Sequence, residues 1–372
     1  MSEVRFRIDP STPRISAVTA AGEMEVPALW LRERCQDPDH LDAATEQRLF
    51  DPHTLPMDLE LTQAQDAGDG TAWLAFSDGY AGRYRLDRLA TEVDGHDGLP
   101  DPVAWTADLD LATVRVDWRR LGDPEALRRA VGRFLSHGFI VLHDVPTQPE
   151  QILEVARTFG NPRETNFGQY FEVYSRQQSN DLAYRPVALG PHTDNPYREP
   201  VPGIQLLHCL VNETTGGLST LVDSLAVTRQ LQAEDPHGFD LLAQTPVRFR
   251  FTDAQEELIE RRPIIQRDDQ GRMTGVHYSP RLDSLPLMDA ESTRRFQKAR
   301  QRLGELFVDP AFQIGFPLAA GELMMFDNSR VLHGRTSYDP SEGARHLQGC
   351  YIDLDGPRSR YRTAARRARQ AA

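Results

Sequence analysis

At positions 189 to 197 the sequence reads Leu189-Gly190-Pro191-His192-Thr193-Asp194-Asn195-Pro196-Tyr197. In an extended segment, side chains two positions apart project to the same face, so His192 and Asp194 can reach one metal ion. The third ligand should come from far along the chain, and the best candidate is His333, in the apolar run Val331-Leu332-His333. Two histidines and one carboxylate on one face of an iron form the facial triad of non-haem Fe(II) oxygenases.

His-x-Asp alone is a short pattern, and its alternative interpretation is a turn with a solvated carboxylate. The context favours the metal, because Arg345 follows His333 after twelve positions in a run that is typical of a strand. A guanidinium binds a carboxylate through two parallel hydrogen bonds. Arg345 could therefore hold the far carboxylate of a 2-oxo diacid that chelates the iron.

These residues resemble those of the taurine dioxygenase-like oxygenases, and more narrowly the branch of γ-butyrobetaine and 2-(trimethylamino)ethylphosphonate hydroxylases. The resemblance runs from about Trp30 to about Arg362. Four motifs occur in the order of that branch, namely Gly203-Ile204-Gln205-Leu206-Leu207-His208-Cys209, Gly216-Gly217-Leu218-Ser219, Leu332-His333-Gly334-Arg335 and Arg345-His346-Leu347. The resemblance implies a mainly β fold with flanking helices, built on a double-stranded β-helix (jelly roll).

The resemblance also implies roles for single residues. His192, Asp194 and His333 would hold Fe(II), Arg345 would anchor 2-oxoglutarate, and Ser219 would contact the same cosubstrate. The implied reaction consumes 2-oxoglutarate and O2, releases succinate and CO2, and hydroxylates an unactivated C–H bond. No catalytic residue beyond the iron ligands is expected, because the protein contributes mainly positioning.

A polar and aromatic insertion between residues 161 and 191 is the candidate binding site for the substrate cation. Ring faces hold a quaternary ammonium, which cannot donate a hydrogen bond. Aligned on the iron motif, Tyr184 and Phe171 fall on aromatic cage positions of the branch, Phe167 is a possible third ring, and Tyr351 falls on another. Asp181 is a further candidate in the same insertion. The alternative is ordinary packing of these rings against the barrel.

Ser279 and Arg281 occupy the stretch where the butyrobetaine enzymes offer asparagines to a substrate carboxylate. An arginine beside a hydroxyl suits a more highly charged anion such as a phosphonate, although Arg281 could also be a solvated surface charge. We therefore favour 2-(trimethylamino)ethylphosphonate over γ-butyrobetaine as the substrate. A taurine- or alkylsulfonate-type oxygenase and a non-catalytic β-helix binding module are the remaining alternatives.

Composition excludes other classes of partner. The formal net charge of −13 and the pI near 5.3 argue against nucleic acid, because binding to a duplex requires a basic face. No apolar run approaches the length that crosses a bilayer, and the N-terminus has no signal-peptide core. The three cysteines are far apart in the sequence, which favours a reducing cytoplasm over a disulfide framework. A homodimer is expected from the resemblance alone.

We divide the chain into a small β-rich N-terminal domain (1–97), a linker rich in Asp, Gly and Pro (98–110) and the oxygenase domain (111–372). Apolar residues recur at helical spacing in 124–135 and 288–307, which predicts two helices in the oxygenase domain. The alternation of Tyr84 to Leu89 instead indicates a strand in the N-terminal domain.

The resemblance implies a structural zinc in the N-terminal domain, but the ligand pattern is eroded. Cys35 fits the branch, whereas Asp37 and His40 stand where further cysteines are expected, and Tyr80 stands at a histidine position. A structural zinc needs four tight nitrogen or sulfur ligands. We therefore expect no zinc there and interpret Cys35 as a small buried hydrophobic residue.

Overall fold

The computed structural model describes residues 4–93, 98–174, 187–268 and 270–371, with side chains described as far as residue 367. It divides into two compact units, Met1–Gly98 and Leu99–Ala372. In the described part of the chain, no helix combines the length and the apolar character that crossing a membrane requires.

In its described residues, the first unit contains two three-stranded antiparallel sheets, two α-helices and one 3-10 helix, Pro52–Thr54. Its elements are β1 (Arg5–Ile8), β2 (Ile15–Thr19), β3 (Gly22–Glu25), α1 (Ala28–Arg32), β4 (Leu61–Asp66), β5 (Thr71–Phe76), β6 (Ala81–Arg85) and α2 (Leu86–Val93). The expected strand from Tyr84 to Leu89 is wrong beyond Arg85, where α2 begins. Leu86 and Leu89 are three residues apart, which places them on one face of a helix but on opposite faces of a strand, and Leu89 is buried.

The eroded zinc position of the first unit is filled by a polar and aromatic cluster. The guanidinium of Arg32 lies 3.5 Å from the sulfur of Cys35 and 4.1 Å from the centre of the Tyr80 ring. The Tyr80 hydroxyl donates a hydrogen bond to Asp37, and burial raises the pKa of the Cys35 thiol. The eroded pattern retains two nitrogen or sulfur donors, Cys35 and His40, whereas a structural zinc needs four, and the Asp37 carboxylate is already hydrogen-bonded to Tyr80.

The second unit contains all further strands and helices of the described residues. Its strands are β7 (Arg115–Asp117), β8 (Phe139–His143), β9 (Pro162–Arg163), β10 (Phe171–Tyr174), β11 (Leu189–His192), β12 (Ile204–Asn212), β13 (Ser219–Asp223), β14 (Val247–Thr252), β15 (Glu257–Arg262), β16 (Ile265–Arg267), β17 (Met273–Val276), β18 (Asp283–Ser284), β19 (Gln313–Phe316), β20 (Leu323–Asp327), β21 (Val331–Arg335) and β22 (Arg345–Ile352). Its helices are α3 (Pro124–His137), α4 (Gln151–Phe159), α5 (Ser224–Glu234), α6 (Pro236–Gln244), α7 (Ala290–Val308) and α8 (Asp355–Ala371).

Two facing sheets form the double-stranded β-helix, and the predicted fold class is confirmed. The larger sheet has the order β10-β22-β12-β20-β8-β7, with β9 beside β22, and the smaller sheet has the order β11-β21-β13-β19. Leu221 and Val331 of the smaller sheet meet Phe139 and Phe326 of the larger one in a shared apolar core. Side chains alternate along each strand, so β12 directs Gln205 and its alternate neighbours towards the space between the sheets.

Helices cover the outer surface of the larger sheet. The first predicted helix is present as α3, which begins at Pro124 under an Asp123 cap and ends at Gly138, whose φ of 77° suits glycine. The second predicted helix is present as α7, which instead packs in a core with Val222 and Leu332 of the smaller sheet. The arginine-rich C-terminal segment forms α8, and its Tyr361 packs against α3 at Gly132.

The stretch 98–110, for which we expected a linker, packs into the second unit from Leu99 onward. Trp105 is buried and belongs to the core between the sheets. Its indole donates a hydrogen bond to the carbonyl oxygen of His137 at 2.7 Å, and its backbone N–H donates to Asp223 at 3.1 Å. The abundance of Asp, Gly and Pro therefore reflects turns around a buried tryptophan.

Candidate active site

His192, Asp194 and His333 come together where the smaller sheet borders the inner cavity. His192 ends β11 and lies directly opposite His333 of β21. Oδ1 of Asp194 lies 3.4 Å from Nε2 of His192 and 3.9 Å from Nε2 of His333. Two ligand atoms that each lie about 2.1 Å from a metal, at a right angle, are about 3 Å apart. The three donor atoms therefore fit one ion after small movements, and their types are those of a facial triad.

The protonation states of His333 and Asp194 and the hydrogen bonding of His192 also fit a metal. Burial lowers the pKa of His333 to about 3, so its imidazole is neutral. Burial opposes ionisation of Asp194, but His333, His192 and the hydroxyl of Tyr351 together hold its pKa below the ordinary value. Neutral imidazole and ionised carboxylate are the forms that bind metals. Nδ1 of His192 donates to the carbonyl oxygen of Gly190 at 3.0 Å, which leaves Nε2 free to act as a ligand.

Asn328 fixes the backbone that carries Asp194. The side-chain oxygen of Asn328 accepts a hydrogen bond from the Asp194 N–H at 2.7 Å, and its amide donates to the Asp194 carbonyl oxygen at 2.9 Å. Thr193 is held on the other side by a backbone hydrogen bond of 2.7 Å to Tyr278. Asn328 is fully buried, so the loop after β11 is tied to the turn between β20 and β21. Sequence reasoning missed Asn328, although it lies five residues before His333.

Two buried arginines line the cavity near the candidate metal ligands. Arg345 donates to the Gly217 carbonyl oxygen at 3.2 Å, and its Nε has no hydrogen-bond partner in the described ranges. A Cβ at Gly217 would lie 2.8 Å from that Nε, so glycine leaves room for the guanidinium. Arg335, which sequence reasoning missed, lies directly opposite Ser219 in the smaller sheet, and both line the cavity.

Aromatic side chains form one wall of the cavity, whose volume is about 420 Å³. The ring centres of Phe171 and Tyr351 are 5.5 Å apart, and those of Phe167 and Phe171 are 6.2 Å apart. Phe251 of β14 and Tyr197 extend this wall, stacked on each other with centres 5.0 Å apart. Sequence reasoning missed both, because no local pattern shows that β14 reaches the cavity.

Comparison with known proteins identifies the family. Residues 102–351 match the taurine catabolism dioxygenase TauD, TfdA family. The chain is also 34% identical to the gamma-butyrobetaine dioxygenase of Pseudomonas sp. (strain AK-1), over 88% of this chain and 87% of that protein. The chain belongs to the TauD/TfdA dioxygenases. It is an Fe(II)- and 2-oxoglutarate-dependent dioxygenase, and O2 is its cosubstrate.

A further relative agrees with this assignment, and a solved structure shares the fold. Mitochondrial trimethyllysine dioxygenase of Rattus norvegicus is 28% identical over 90% of this chain and 82% of that protein. A crystal structure of asparagine oxygenase (AsnO) superposes with a TM-score of 0.51 at 18% identity, covering 64% of this chain and 93% of that chain. At that identity the likeness shows the fold, which is the double-stranded β-helix described above.

Ser279 and Arg281 lie in the cavity of the dioxygenase as well. Both line it, but Ser279 is buried, whereas Arg281 is exposed. Arg281 has no ion pair or side-chain hydrogen bond with the described residues, and its charge acts on His333. Arg250 also lines the cavity, but it is paired with Glu257 at 2.7 Å. The predicted substrate residues Tyr184 and Asp181 lie outside the described residues.

A second group of possible metal ligands in the dioxygenase does not fit an ion. Asp117, His143 and Asp144 offer ligand atoms close together. The guanidinium of Arg119 already binds both carboxylates, at 3.0 Å and 3.1 Å, and a cation of that charge repels a metal. The group is also partly exposed, so we interpret it as a surface ion-pair network.

Proposed function

We propose that the enzyme hydroxylates an unactivated C–H bond of a small trimethylammonium zwitterion, with 2-(trimethylamino)ethylphosphonate preferred and γ-butyrobetaine as the alternative. The observation that carries the proposal is the combination, in the cavity that contains the metal ligands, of an aromatic wall and Arg281, which has no ion pair with any of the described residues. Aromatic faces attract a quaternary ammonium, and a guanidinium binds an oxyanion. The relatives named for γ-butyrobetaine and trimethyllysine also act on trimethylammonium compounds.

His192, Asp194 and His333 would hold the iron in this proposal. Arg345 would bind the far carboxylate of 2-oxoglutarate, and Ser219, opposite Arg335, would donate its hydroxyl to the same cosubstrate. The orphaned Nε of Arg345 supports this role, because a buried guanidinium donor without a partner is costly unless a ligand supplies the acceptor. When bound, Fe(II) and 2-oxoglutarate supply the oxidising power that places one oxygen atom of O2 on the substrate.

The chain's own residues then decide which carbon is presented. Phe171 and Tyr351 would hold the trimethylammonium group against their ring faces, with Phe167, Tyr184 and Asp181 as further candidates. Ser279 and Arg281 would bind the anion. Holding both ends of a short zwitterion fixes the methylene between them, which is the positioning that makes a reaction at one C–H bond fast. The aromatic wall also excludes water from that carbon.

The direct test measures succinate formation by the Fe(II)-loaded enzyme with three compounds side by side: 2-(trimethylamino)ethylphosphonate, γ-butyrobetaine and taurine. We expect turnover of both trimethylammonium compounds, with the phosphonate preferred. Preference for γ-butyrobetaine would keep the aromatic site and remove the phosphonate assignment. Turnover of taurine alone would contradict the proposal, because taurine carries no quaternary ammonium.

The role of Arg281 is tested by Arg281→Ala against Arg294→Ala. Arg294 is an exposed arginine of α7 outside the cavity lining, so it controls for the loss of one surface charge. Losing a charge-assisted hydrogen bond of about 1.5–3 kcal/mol should raise the KM for the substrate by about 10- to 100-fold in Arg281→Ala only. Equal KM values in the two variants would show that Arg281 is a solvated surface charge and does not bind the substrate anion.

We also propose a cytoplasmic homodimer in which residues 1–97 form a separate N-terminal domain. The three cysteines are buried and free, which suits a reducing compartment. Light scattering on the purified enzyme measures the mass directly, and a mass of one chain at micromolar concentration would contradict the dimer. Limited proteolysis should cut between the two units first, and cuts confined to other positions would contradict the domain division.

A further inference from the structure

One hydrogen bond connects the aromatic wall to the metal ligands. The hydroxyl of Tyr351 donates to Oδ2 of Asp194 at 2.7 Å. The other oxygen of the same carboxylate, Oδ1, faces Nε2 of His192 and of His333 at 3.4 and 3.9 Å. The two oxygens of Asp194 therefore have different neighbours: one faces the ligand nitrogens, and the other is occupied by a phenol.

We infer that Tyr351 is a positioning residue for the metal, which makes Asp194 bind through Oδ1 alone. A free carboxylate can bind a cation through one oxygen or both. Binding through both would occupy a position that a facial-triad enzyme must leave open for its cosubstrates. By holding Oδ2, the Tyr351 hydroxyl keeps that second oxygen away from the ion.

In the described part of the chain, the hydrogen bond to Oδ2 of Asp194 comes from Tyr351. Asn328 fixes the backbone N–H and carbonyl of Asp194, but it does not touch the carboxylate. Rotation of the Asp194 side chain is the remaining freedom, and the hydrogen bond from Tyr351 restricts it. Partners of metal ligands commonly set ligand orientation in this way.

Tyr351 is itself held firmly. It is 4% exposed and lies in β22 directly opposite Gln205 of β12. Its ring contacts Phe171, with centres 5.5 Å apart. A buried hydroxyl cannot turn to bulk water without losing its partner, so the ring position and the hydrogen bond to Asp194 support each other.

Tyr351 thus lies between the proposed substrate site and the metal site, and the coupling described next rests on the proposed function. The ring of Tyr351 is part of the proposed site for the trimethylammonium group, and its hydroxyl holds the metal ligand. A substrate that packs against the ring also restrains the hydroxyl. Binding linkage is reciprocal, so the substrate should tighten metal binding and the metal should tighten substrate binding.

The test compares Tyr351→Phe with Phe171→Leu. The first variant keeps the ring and removes the hydroxyl, whereas the second removes a neighbouring ring that has no hydrogen bond to Asp194. Mn(II) affinity is measured by calorimetry on the metal-free protein without substrate or 2-oxoglutarate, and thermal unfolding checks the fold. Tyr351→Phe should weaken Mn(II) binding by about 10- to 100-fold, and Phe171→Leu should leave it unchanged.

An Mn(II) affinity of Tyr351→Phe within about threefold of wild type would overturn the inference, because loss of a ligand's partner costs about tenfold or more. An equal loss in Phe171→Leu would also overturn it, since packing alone would then explain the effect. The proposed function fails differently. If the substrate is not a quaternary ammonium, Phe171→Leu leaves the substrate KM unchanged while Tyr351→Phe still loses Mn(II).

Discussion

Replacing Gly349 by alanine should displace Phe171 without touching any atom of the proposed metal or 2-oxoglutarate site. Phe171 of β10 lies opposite Gly349 of β22, and its ring crosses the space that a side chain at 349 would fill. A Cβ at Gly349 would lie 2.3 Å from Cζ and 2.4 Å from Cε2 of that ring. The glycine is therefore what allows the ring to lie over the sheet beside Tyr351.

The magnitude follows from these distances. Carbon atoms in contact are about 3.5–4.0 Å apart, so the ring must retreat by more than about 1 Å and leave its place next to Tyr351. Losing one aromatic face from a quaternary ammonium site costs about 0.5–2 kcal/mol. At about 1.4 kcal/mol for each factor of ten, the KM for the trimethylammonium substrate should rise by about 2- to 30-fold.

The assay is steady-state succinate formation with varied substrate and then with varied 2-oxoglutarate. Gly315→Ala is the matched control, because a Cβ there would make only ordinary contacts, the nearest at 3.9 Å to Thr220. We expect Gly349→Ala to raise the substrate KM and to leave the 2-oxoglutarate KM unchanged. In a protein that already carries Phe171→Leu, adding Gly349→Ala should raise the substrate KM little further. An unchanged substrate KM, or an effect in the double variant as large as in wild type, would refute the reasoning.

Four further substitutions test other parts of the structure. Asp194→Ala should abolish turnover while circular dichroism stays native, and retained turnover would remove the iron assignment. Asn328→Ala should weaken Mn(II) binding about tenfold. An Mn(II) affinity equal to that of wild type in calorimetry would show that the loop positions Asp194 without the help of Asn328. Arg330→Met removes the ion pair of the buried Asp223. Urea denaturation should show a free energy of unfolding lower by about 3–5 kcal/mol, and a loss below about 1 kcal/mol would contradict this expectation. Tyr80→Phe should lower the free energy of unfolding by about 1–3 kcal/mol. Elemental analysis of this variant should detect no zinc, and bound zinc would contradict the interpretation of this cluster as a site without metal.

The two helices that the sequence predicted correctly follow from local patterns. The helical spacing of 124–135 and 288–307 needs no knowledge of the rest of the chain. Both segments form helices, with observed bounds of Pro124–His137 and Ala290–Val308. His-x-Asp is equally local, since two residues with one between them share a face in extended chain. The distal His333 was proposed from an apolar run far along the chain, and the structure places it directly opposite His192.

The features that sequence reasoning missed depend on register between distant strands. The hydrogen bond from Tyr351 to Asp194 joins residues 157 positions apart, and Asn328 reaches Asp194 across 134 positions. No periodic pattern encodes such pairs. Trp105 shows a different limit of sequence reasoning. The residues around it in the sequence are typical of a linker, but its large apolar side chain is buried and anchors the segment. Tertiary burial overrode the local composition.

The most direct test of the central claim compares 2-(trimethylamino)ethylphosphonate with an isostere in which an uncharged tert-butyl group replaces the trimethylammonium group and the phosphonate is kept. The two compounds have the same shape and the same anion, so succinate formation reports the charge alone. Two aromatic faces at about 0.5–2 kcal/mol each predict a kcat/KM at least about fivefold higher for the charged compound, and a Phe171→Leu variant should narrow that ratio. Equal kcat/KM values for the two compounds would contradict a quaternary ammonium site in this dioxygenase.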